Sequence, residues 1–397
     1  MAIRLRRLGQ HSYLKYLLTT PKTATLTVKP LPTTSVRKMA TSTSQVNLAI
    51  LDDYSSIAVK HFSHIQNLKV DDFPVTLDPT TTNGFEELVQ RLQDYEIIST
   101  MRERTPISSA LMARLPKLKL IMTTALRNAS INVAAAKTKG ILVTGTKGNA
   151  PSGKDLEAFG DDLPPPPEGN SVNQHAWALL LSLASRIARD DAALKSSPES
   201  WQSGLMIPLG GKVLGCVGLG KLGLLMAKTA ILGFGMKVVA WSENLTQDKA
   251  DASAETAGLP KGSVKVVGKE ELFRQADVVS LHLVLSDRSR GTIGAKELEL
   301  MKRSALLINT SRGGLIDEEA LLQALREGRI RGAALDVYWR EPLPNDSPWR
   351  SKDFKSEVVL SPHMGYANAG TMQRWYQEQA GIVETYLQGK EVPNQMS

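Results

Sequence analysis

The apolar run Val213-Leu214-Gly215-Cys216-Val217 leads without a break into Gly218-Leu219-Gly220-Lys221-Leu222-Gly223, and Leu222 to Ile231 continues at helical spacing. A strand that turns through three glycines straight into a helix demands a parallel βαβ unit, and no other segment constrains the fold as much. Gly218 permits the tight turn, Gly220 lets the backbone approach a pyrophosphate, and Gly223 allows helix and strand to pack closely. The phosphates would sit at the helix N-terminus beside Leu219, Lys221 and Leu222, where free N–H groups and the helix dipole favour an anion. A dinucleotide is therefore the expected cofactor.

The next strand, Lys237 to Trp241, should end beside the adenosine ribose. An acidic residue there would accept both ribose hydroxyls. This chain offers Ser242 and then Glu243, with no arginine following to bind a 2′-phosphate. NAD is the preferred expectation, and NADP remains open.

The rest of the chain repeats the same rhythm. Val46–Leu51, Tyr95–Thr100, Leu118–Met122 and Gly140–Val143 read as strands, with helices near Gly84–Leu92 and Ser108–Leu115 between them. Such alternation implies an α/β protein with parallel sheets covered on both faces. Residues 148–170 interrupt it with four successive prolines, Pro164 to Pro167, which favour an extended conformation and read as an exposed insertion. His175 to Ile187 then reads as a buried helix, and a second alternating region runs from Gly211 to about Leu360. A last helix is expected from Ala369 to Leu387.

Charge sharpens this reading. The 397 residues carry a net charge of +8, yet residues 1–51 hold eight of the 48 Lys and Arg and no acid. The remainder is balanced, so a nucleic-acid partner is not expected. The Arg- and Ser-rich leader has the composition of a mitochondrial transit peptide, with a disordered tail as the bland alternative. Localisation would be mitochondrial if residues 1–38 are a presequence, and cytoplasmic if translation starts at Met39. No apolar run is long and uncharged enough to span a bilayer, so no membrane partner is expected. A single cysteine, Cys216, excludes an internal disulfide and reads as a core filler. No metal site is expected.

Candidate catalytic residues gather behind the second set of strands. Among six histidines, His282 and His363 follow strands, Ala276–His282 and Val358–Ser361, where a doubly wound sheet presents its ligands. His363, after Pro362 and before Gly365, is better placed to reach an open cleft. His175, opening the buried helix, could be structural. Arg312 follows the strand Ala305–Asn309 through Thr310 and precedes two glycines, Gly313 and Gly314. Reduction of a 2-oxo acid needs a cation to hold the carboxylate and polarise the carbonyl, an acid to protonate the oxygen, and a carboxylate to orient that acid. Arg312, His363 and Glu341 suit these three roles. Taken singly, each has a bland reading: a turn arginine, a loop glutamate, a core histidine. Asp336 could accept a hydrogen bond from a nicotinamide carboxamide, or cap the following turn, with equal weight. Asp317 to Gly328 is a capped helix with acids at its positive end.

Together these segments resemble the D-isomer-specific 2-hydroxyacid dehydrogenase family. The similarity runs from about Val46 to Asn394, outside the insertion, and is most specific in SLHLVLSD, LINTSRGGLIDEEAL, AALDVYWREPL and SPHMGY. It implies two doubly wound domains, a Rossmann nucleotide domain inserted in a flavodoxin-like substrate domain. On that basis residues 1–45 are a leader, 46–190 the first part of the substrate domain with 171–190 as linking helix, 191–362 the nucleotide domain, and 363–397 the return to the substrate domain. The resemblance implies Arg312 as substrate anchor, Glu341 as histidine partner and His363 as acid/base, with Thr310, Asp336 and Gly365 near the cofactor. Arg102 and the backbone at Ala125 and Leu126 match the substrate loops in position, although Arg102 and Arg104 could equally pair with Glu103 and nearby acids. The expected function is hydride transfer between NAD(P)H and a small 2-oxo or D-2-hydroxy acid of the glyoxylate or hydroxypyruvate kind, in a homodimer formed through the nucleotide domain. The alternative is an NADH-binding scaffold similar to the C-terminal binding protein corepressors. A formate dehydrogenase is a third reading, disfavoured because Glu341 stands where that enzyme pairs its histidine with glutamine.

Overall fold

The computed structural model describes residues 45–148 and 170–396. The basic leader, Met39 and nearly all of the proline-rich insertion lie outside the described residues.

The first lobe is built on β1 (Val46–Leu51), β2 (Leu68–Phe73), α1 (Thr82–Leu92), β3 (Ile97–Thr100), α2 (Ser109–Ala113), β4 (Leu120–Thr123), α3 (Val133–Thr138) and β5 (Leu142–Gly145). Its five strands are all parallel, in the order β2-β1-β3-β4-β5. Strand β2 is absent from the sequence reading for a physical reason. It reads Leu-Lys-Val-Asp-Asp-Phe at the edge of the sheet, where one flank meets water and polar residues are tolerated.

The chain then enters α4 (Ser171–Ala184) and α5 (Ile187–Ser196). The single helix expected over His175–Ile187 is thus corrected to two. Helix α4 starts four residues earlier, capped by the Asn170 side chain, and breaks at Ser185-Arg186, where Arg186 takes φ +61. Buried Arg186 turns there to pair with Glu357. This local requirement outweighs helix continuity.

The second lobe follows as β6 (Val213–Val217), α6 (Lys221–Phe234), β7 (Lys237–Trp241), α7 (Gln247–Thr256), β8 (Val264–Val266), α8 (Lys269–Gln275), β9 (Val278–Leu281), α9 (Ala295–Leu300), β10 (Leu306–Asn309), α10 (Glu318–Glu327), β11 (Gly332–Leu335) and β12 (Glu357–Leu360). The strand order is β12-β11-β10-β9-β6-β7-β8, again wholly parallel. It reverses direction between β6 and β9, which is where an open α/β sheet opens a crevice at its carboxyl edge. Helix α10 shows how locally such elements are specified. Asp317 caps Ala320 N–H at 2.9 Å, Glu318 and Glu319 face the positive end, and Gly328 closes the helix at φ +71. Its Leu321 and Leu325 are fully buried, each contributing about 2 kcal/mol.

Each sheet separates two apolar layers. In the second lobe, Leu214, Met226, Ala230 and Leu180 fill one face, while Leu272, Phe273, Leu307 and Leu321 fill the other. Cys216 is buried among the first group, and burial pushes its thiol up to about 12, in keeping with an inert core residue. The last helix, α11 (Ala369–Leu387), places Met372, Trp375, Tyr376 and Val383 against Leu48, Ile50, Ile97 and Leu120 of the first sheet. No helix among the described residues is long and apolar enough to cross a membrane.

Candidate active site

The glycine turn between β6 and α6 has the geometry its sequence requires. Gly218 takes φ +100, and a Cβ on it would lie 2.9 Å from the His282 carbonyl. A Cβ on Gly223 would meet Gly218 O at 2.2 Å, so helix and turn touch backbone to backbone. Around Gly220 there is open space, and this residue brings no side chain to cap α6. The first amides of α6, from Lys221 to Gly223, have no partners inside the helix. A free, glycine-lined helix start fits a dinucleotide pyrophosphate. Strand β7 ends at Trp241, so Ser242 is the first residue beyond it, at the ribose end, with exposed Glu243 next.

Arg312, Glu341 and His363 leave three adjacent strands, β10, β11 and β12, at the same edge of the sheet. The structure joins two of them directly: His363 Nδ1 lies 2.6 Å from Glu341 Oε2. Since an ionised carboxylate only accepts, Nδ1 carries the proton and Nε2 is left to face a reactant. The other Glu341 oxygen accepts from Tyr338 N–H at 2.8 Å, which holds the carboxylate in place. Edge to face, the Tyr366 ring supports the imidazole at 5.4 Å. Beside this pair opens a cavity of about 270 Å³, lined also by Arg104 and Arg350.

Arg312 is held differently. Its Nη1 donates to Ser311 O at 2.7 Å, and Nη2 reaches Glu103 Oε1 of the first lobe at 3.4 Å. Behind it, Gly313 packs so closely that a Cβ would lie 2.3 Å from the Tyr338 carbonyl carbon. The glycine after the arginine thus lets the β10 and β11 turns touch.

Opposite stand the loops after β3 and β4. Arg102 takes φ +52, pairs with Glu103 at 3.6 Å and lies 5.5 Å over the Tyr366 ring. Pairing of Arg102 with Glu103 was one of the two sequence expectations. Arg104 instead stacks over Tyr54 at 4.5 Å. Asn128 ties the two loops together by donating to Arg102 O and to Thr123 Oγ1. The Ala125 N–H, a candidate for the substrate carboxylate, is spent on Thr123 O at 3.0 Å. The Leu126 N–H makes no hydrogen bond to a described residue, so of the two it is the one available.

Asp336 reaches past the turn that follows it and holds the turn after β12, 28 residues on. It is buried at the end of β11, accepting Met364 N–H at 2.8 Å, Gly365 N–H at 3.0 Å and His175 Nε2 at 3.0 Å. Burial would raise its carboxyl, but hydrogen bonds from His175, Met364 and Ser361 outweigh that and hold it below the ordinary value. Thr310 is buried at the end of β10, and Gly365 packs against Asp336. His282 is bonded to Ser280 Oγ at 2.9 Å and burial lowers it to about 4. The sequence reading gives no role to Tyr54 or Tyr366. Only Tyr366, inside SPHMGY, carried a signal that could have found it.

Residues 177–365 match the family model of the D-isomer specific 2-hydroxyacid dehydrogenase NAD binding domain. The chain is 34% identical to a glyoxylate reductase of Thermococcus litoralis over 314 residues, 77% of this chain and 85% of that protein. It is 33% identical to a D-3-phosphoglycerate dehydrogenase of Methanocaldococcus jannaschii over 70% of its own length, but spans only 47% of that relative. A crystal structure of a putative D-3-phosphoglycerate dehydrogenase from Ralstonia solanacearum superposes with a TM-score of 0.71 at 30% identity, covering 88% of this chain and 97% of that one. These relatives favour an enzyme over a scaffold that has lost catalysis. The chain belongs to the D-isomer-specific 2-hydroxyacid dehydrogenases, oxidoreductases that pass a hydride between a nicotinamide dinucleotide and C2 of a small 2-oxo or 2-hydroxy acid.

Proposed function

We propose that the chain reduces a 2-oxo acid of glyoxylate or hydroxypyruvate size, with Arg312, His363 and Glu341 as its catalytic residues. The observation that carries this reading is the 2.6 Å contact of His363 with Glu341, on strand ends beside the one that bears Arg312. The Arg312 guanidinium holds the substrate carboxylate and draws density from the carbonyl, helped by the Leu126 N–H. His363 Nε2 delivers the proton to the carbonyl oxygen, and Glu341 stabilises the imidazolium from which it comes. A nicotinamide dinucleotide, its pyrophosphate held at the glycine turn, would supply the hydride. The name of the Thermococcus relative supports glyoxylate as the first substrate to try.

The same reading includes a homodimer. Ile187, Leu194, Trp201, Leu205 and Met206 are exposed along one stretch of chain, Trp201 by 75% and Leu205 by 87%. Apolar exposure of this density suits a second copy of the chain. Light scattering on Trp201→Asp should report monomer where the parent reports dimer.

The deciding experiment follows NADH and NADPH oxidation by the full chain against glyoxylate, hydroxypyruvate, pyruvate and 2-oxoisocaproate. Turnover on glyoxylate or hydroxypyruvate that is lost in Arg312→Ala supports the reading. Tight NADH binding without turnover on all four acids sinks it.

A further inference from the structure

His175 sits in the second turn of α4, far in sequence from every residue discussed as catalytic. Its Nε2 lies 3.0 Å from Asp336 Oδ1 and 2.8 Å from Ser361 Oγ, partners 161 and 186 residues away. The apolar face of α4 is supplied by Ala176, Leu179, Leu180 and Leu183, all buried. His175 is not one of them. Its side chain is 23% exposed and meets its partners through a polar atom.

Those partners grip both ends of one short turn. Ser361 and Pro362 lead into His363, while Met364 and Gly365, the two residues after it, donate their N–H groups to Asp336. Between the two grips, His363 has φ +57, a left-handed conformation that residues with a Cβ adopt only when their surroundings impose it. A Cβ at Gly365 would stand 3.2 Å from Asp336 Oδ2, so the carboxylate and the turn are already in close contact. Because the ionised carboxylate only accepts, the proton on His175 Nε2 points at it. The Ser361 hydroxyl contributes a further hydrogen bond to Asp336.

We propose that His175 is a positioning residue for proton transfer: its Nε2–H, given to Asp336 beside Ser361, fixes the turn that aims His363 at the substrate carbonyl. This rests on the reading of His363 as the acid. Without that donor, Asp336 keeps a buried acceptor site unfilled and relaxes toward its remaining partners, Ser361, Met364 and Gly365. The turn moves with it, and the His363 imidazole leaves its productive angle. The substrate carboxylate, held by Arg312 beyond the end of β10, is not affected.

The test compares His175→Leu, which keeps bulk and removes the donor, with His175→Gln, whose amide can donate from a similar position. The Leu variant should lose about ten- to a hundredfold in kcat, with KM for the 2-oxo acid and NADH affinity within about twofold of the parent. The Gln variant should recover most of the loss. Side-chain 15N resonances of histidine-labelled protein, with His363 assigned through His363→Gln, give a readout independent of turnover. The His363 signal should move in the Leu variant and return in the Gln variant. An unchanged kcat and an unmoved His363 signal in His175→Leu overturn the proposal. Equal losses in Leu and Gln variants overturn it too, since the donor would then not be what matters. Should His175→Leu fail to fold, Ser361→Ala removes the other leg of the same contact, and an unmoved His363 signal there overturns the proposal. If the parent turns over none of the four acids while the His363 signal still moves, the catalytic reading fails and the positioning role stands.

Discussion

Glu103 Oε1 of the first lobe lies 3.4 Å from Arg312 Nη2 of the second, so a carboxylate already occupies the guanidinium that would hold the substrate. Arg102 shares that carboxylate at 3.6 Å. A substrate carboxylate entering the cleft must compete with Glu103 for Arg312. Both side chains remain about one-third exposed, which keeps the pair weak and sensitive to salt.

Replacing Glu103 by Gln should therefore free the anchor. The expected result is a fall of about two- to fivefold in KM for the 2-oxo acid, with kcat little changed, and a difference that shrinks at high ionic strength. Steady-state kinetics at 20 and 500 mM salt (about these values) check it. A raised KM would mean that Glu103 positions Arg312 and does not compete for it.

Arg312→Ala should lower kcat/KM by about a thousandfold while leaving NADH affinity within twofold or so. Lysine at the same position should restore little, because a point charge cannot bind a carboxylate in the forked geometry of a guanidinium. Fluorescence titration with NADH beside the kinetics separates the two effects. Weakened NADH binding in either variant would place Arg312 in the cofactor site.

At the ribose end, Ser242→Asp should shift the enzyme firmly to NAD. The new carboxylate would accept from the ribose hydroxyls and repel a 2′-phosphate, raising the ratio of NADH to NADPH efficiency about tenfold or more. An unaltered ratio would mean that Glu243, one residue further on, faces the ribose in its place.

The protein should also lose stability as pH falls from about 6.5 to 4. Burial, reinforced by Lys60, lowers His61 to about 4, and burial lowers His282 to about 4. Both are neutral when folded in this window and protonate on unfolding, so the unfolded chain binds more protons and stability rises with pH. His61 Nε2 has no hydrogen-bond partner, and its ring stacks 6.5 Å from that of Tyr376. His61→Phe should keep the stacking and flatten the slope by one proton. Thermal melts of the two proteins between pH 7 and 4.5 should separate toward acid in favour of the variant. A parallel slope in both proteins would clear His61.

Much of this molecule was legible before any coordinates. Apolar runs of four to six residues marked most strands because both faces of a central parallel strand are buried, as in β3, β4 and β10. The glycine turn announced itself because backbone sterics act between neighbours: Gly218 and Gly223 are five residues apart and touch. Arg312, Glu341 and His363 could be picked out because each follows a strand, and parallel strands deliver their carboxyl ends to one edge. Edge strand β2 escaped notice because polar residues at the sheet margin erase the apolar signature.

What the residues do to one another was decided only by tertiary structure. The grip of Asp336 on the His363 turn spans 28 residues and draws in His175 across 161, and the burden on Arg312 depends on Glu103 arriving from 209 residues away. Local periodicity and glycine geometry are properties of adjacent backbone, so sequence alone determined the sheets, the cofactor turn and the candidate catalytic trio. Hydrogen bonds of about 3 Å between distant side chains depend on how the two lobes and the crossing helix meet. That meeting assigned the last donor and acceptor in the site.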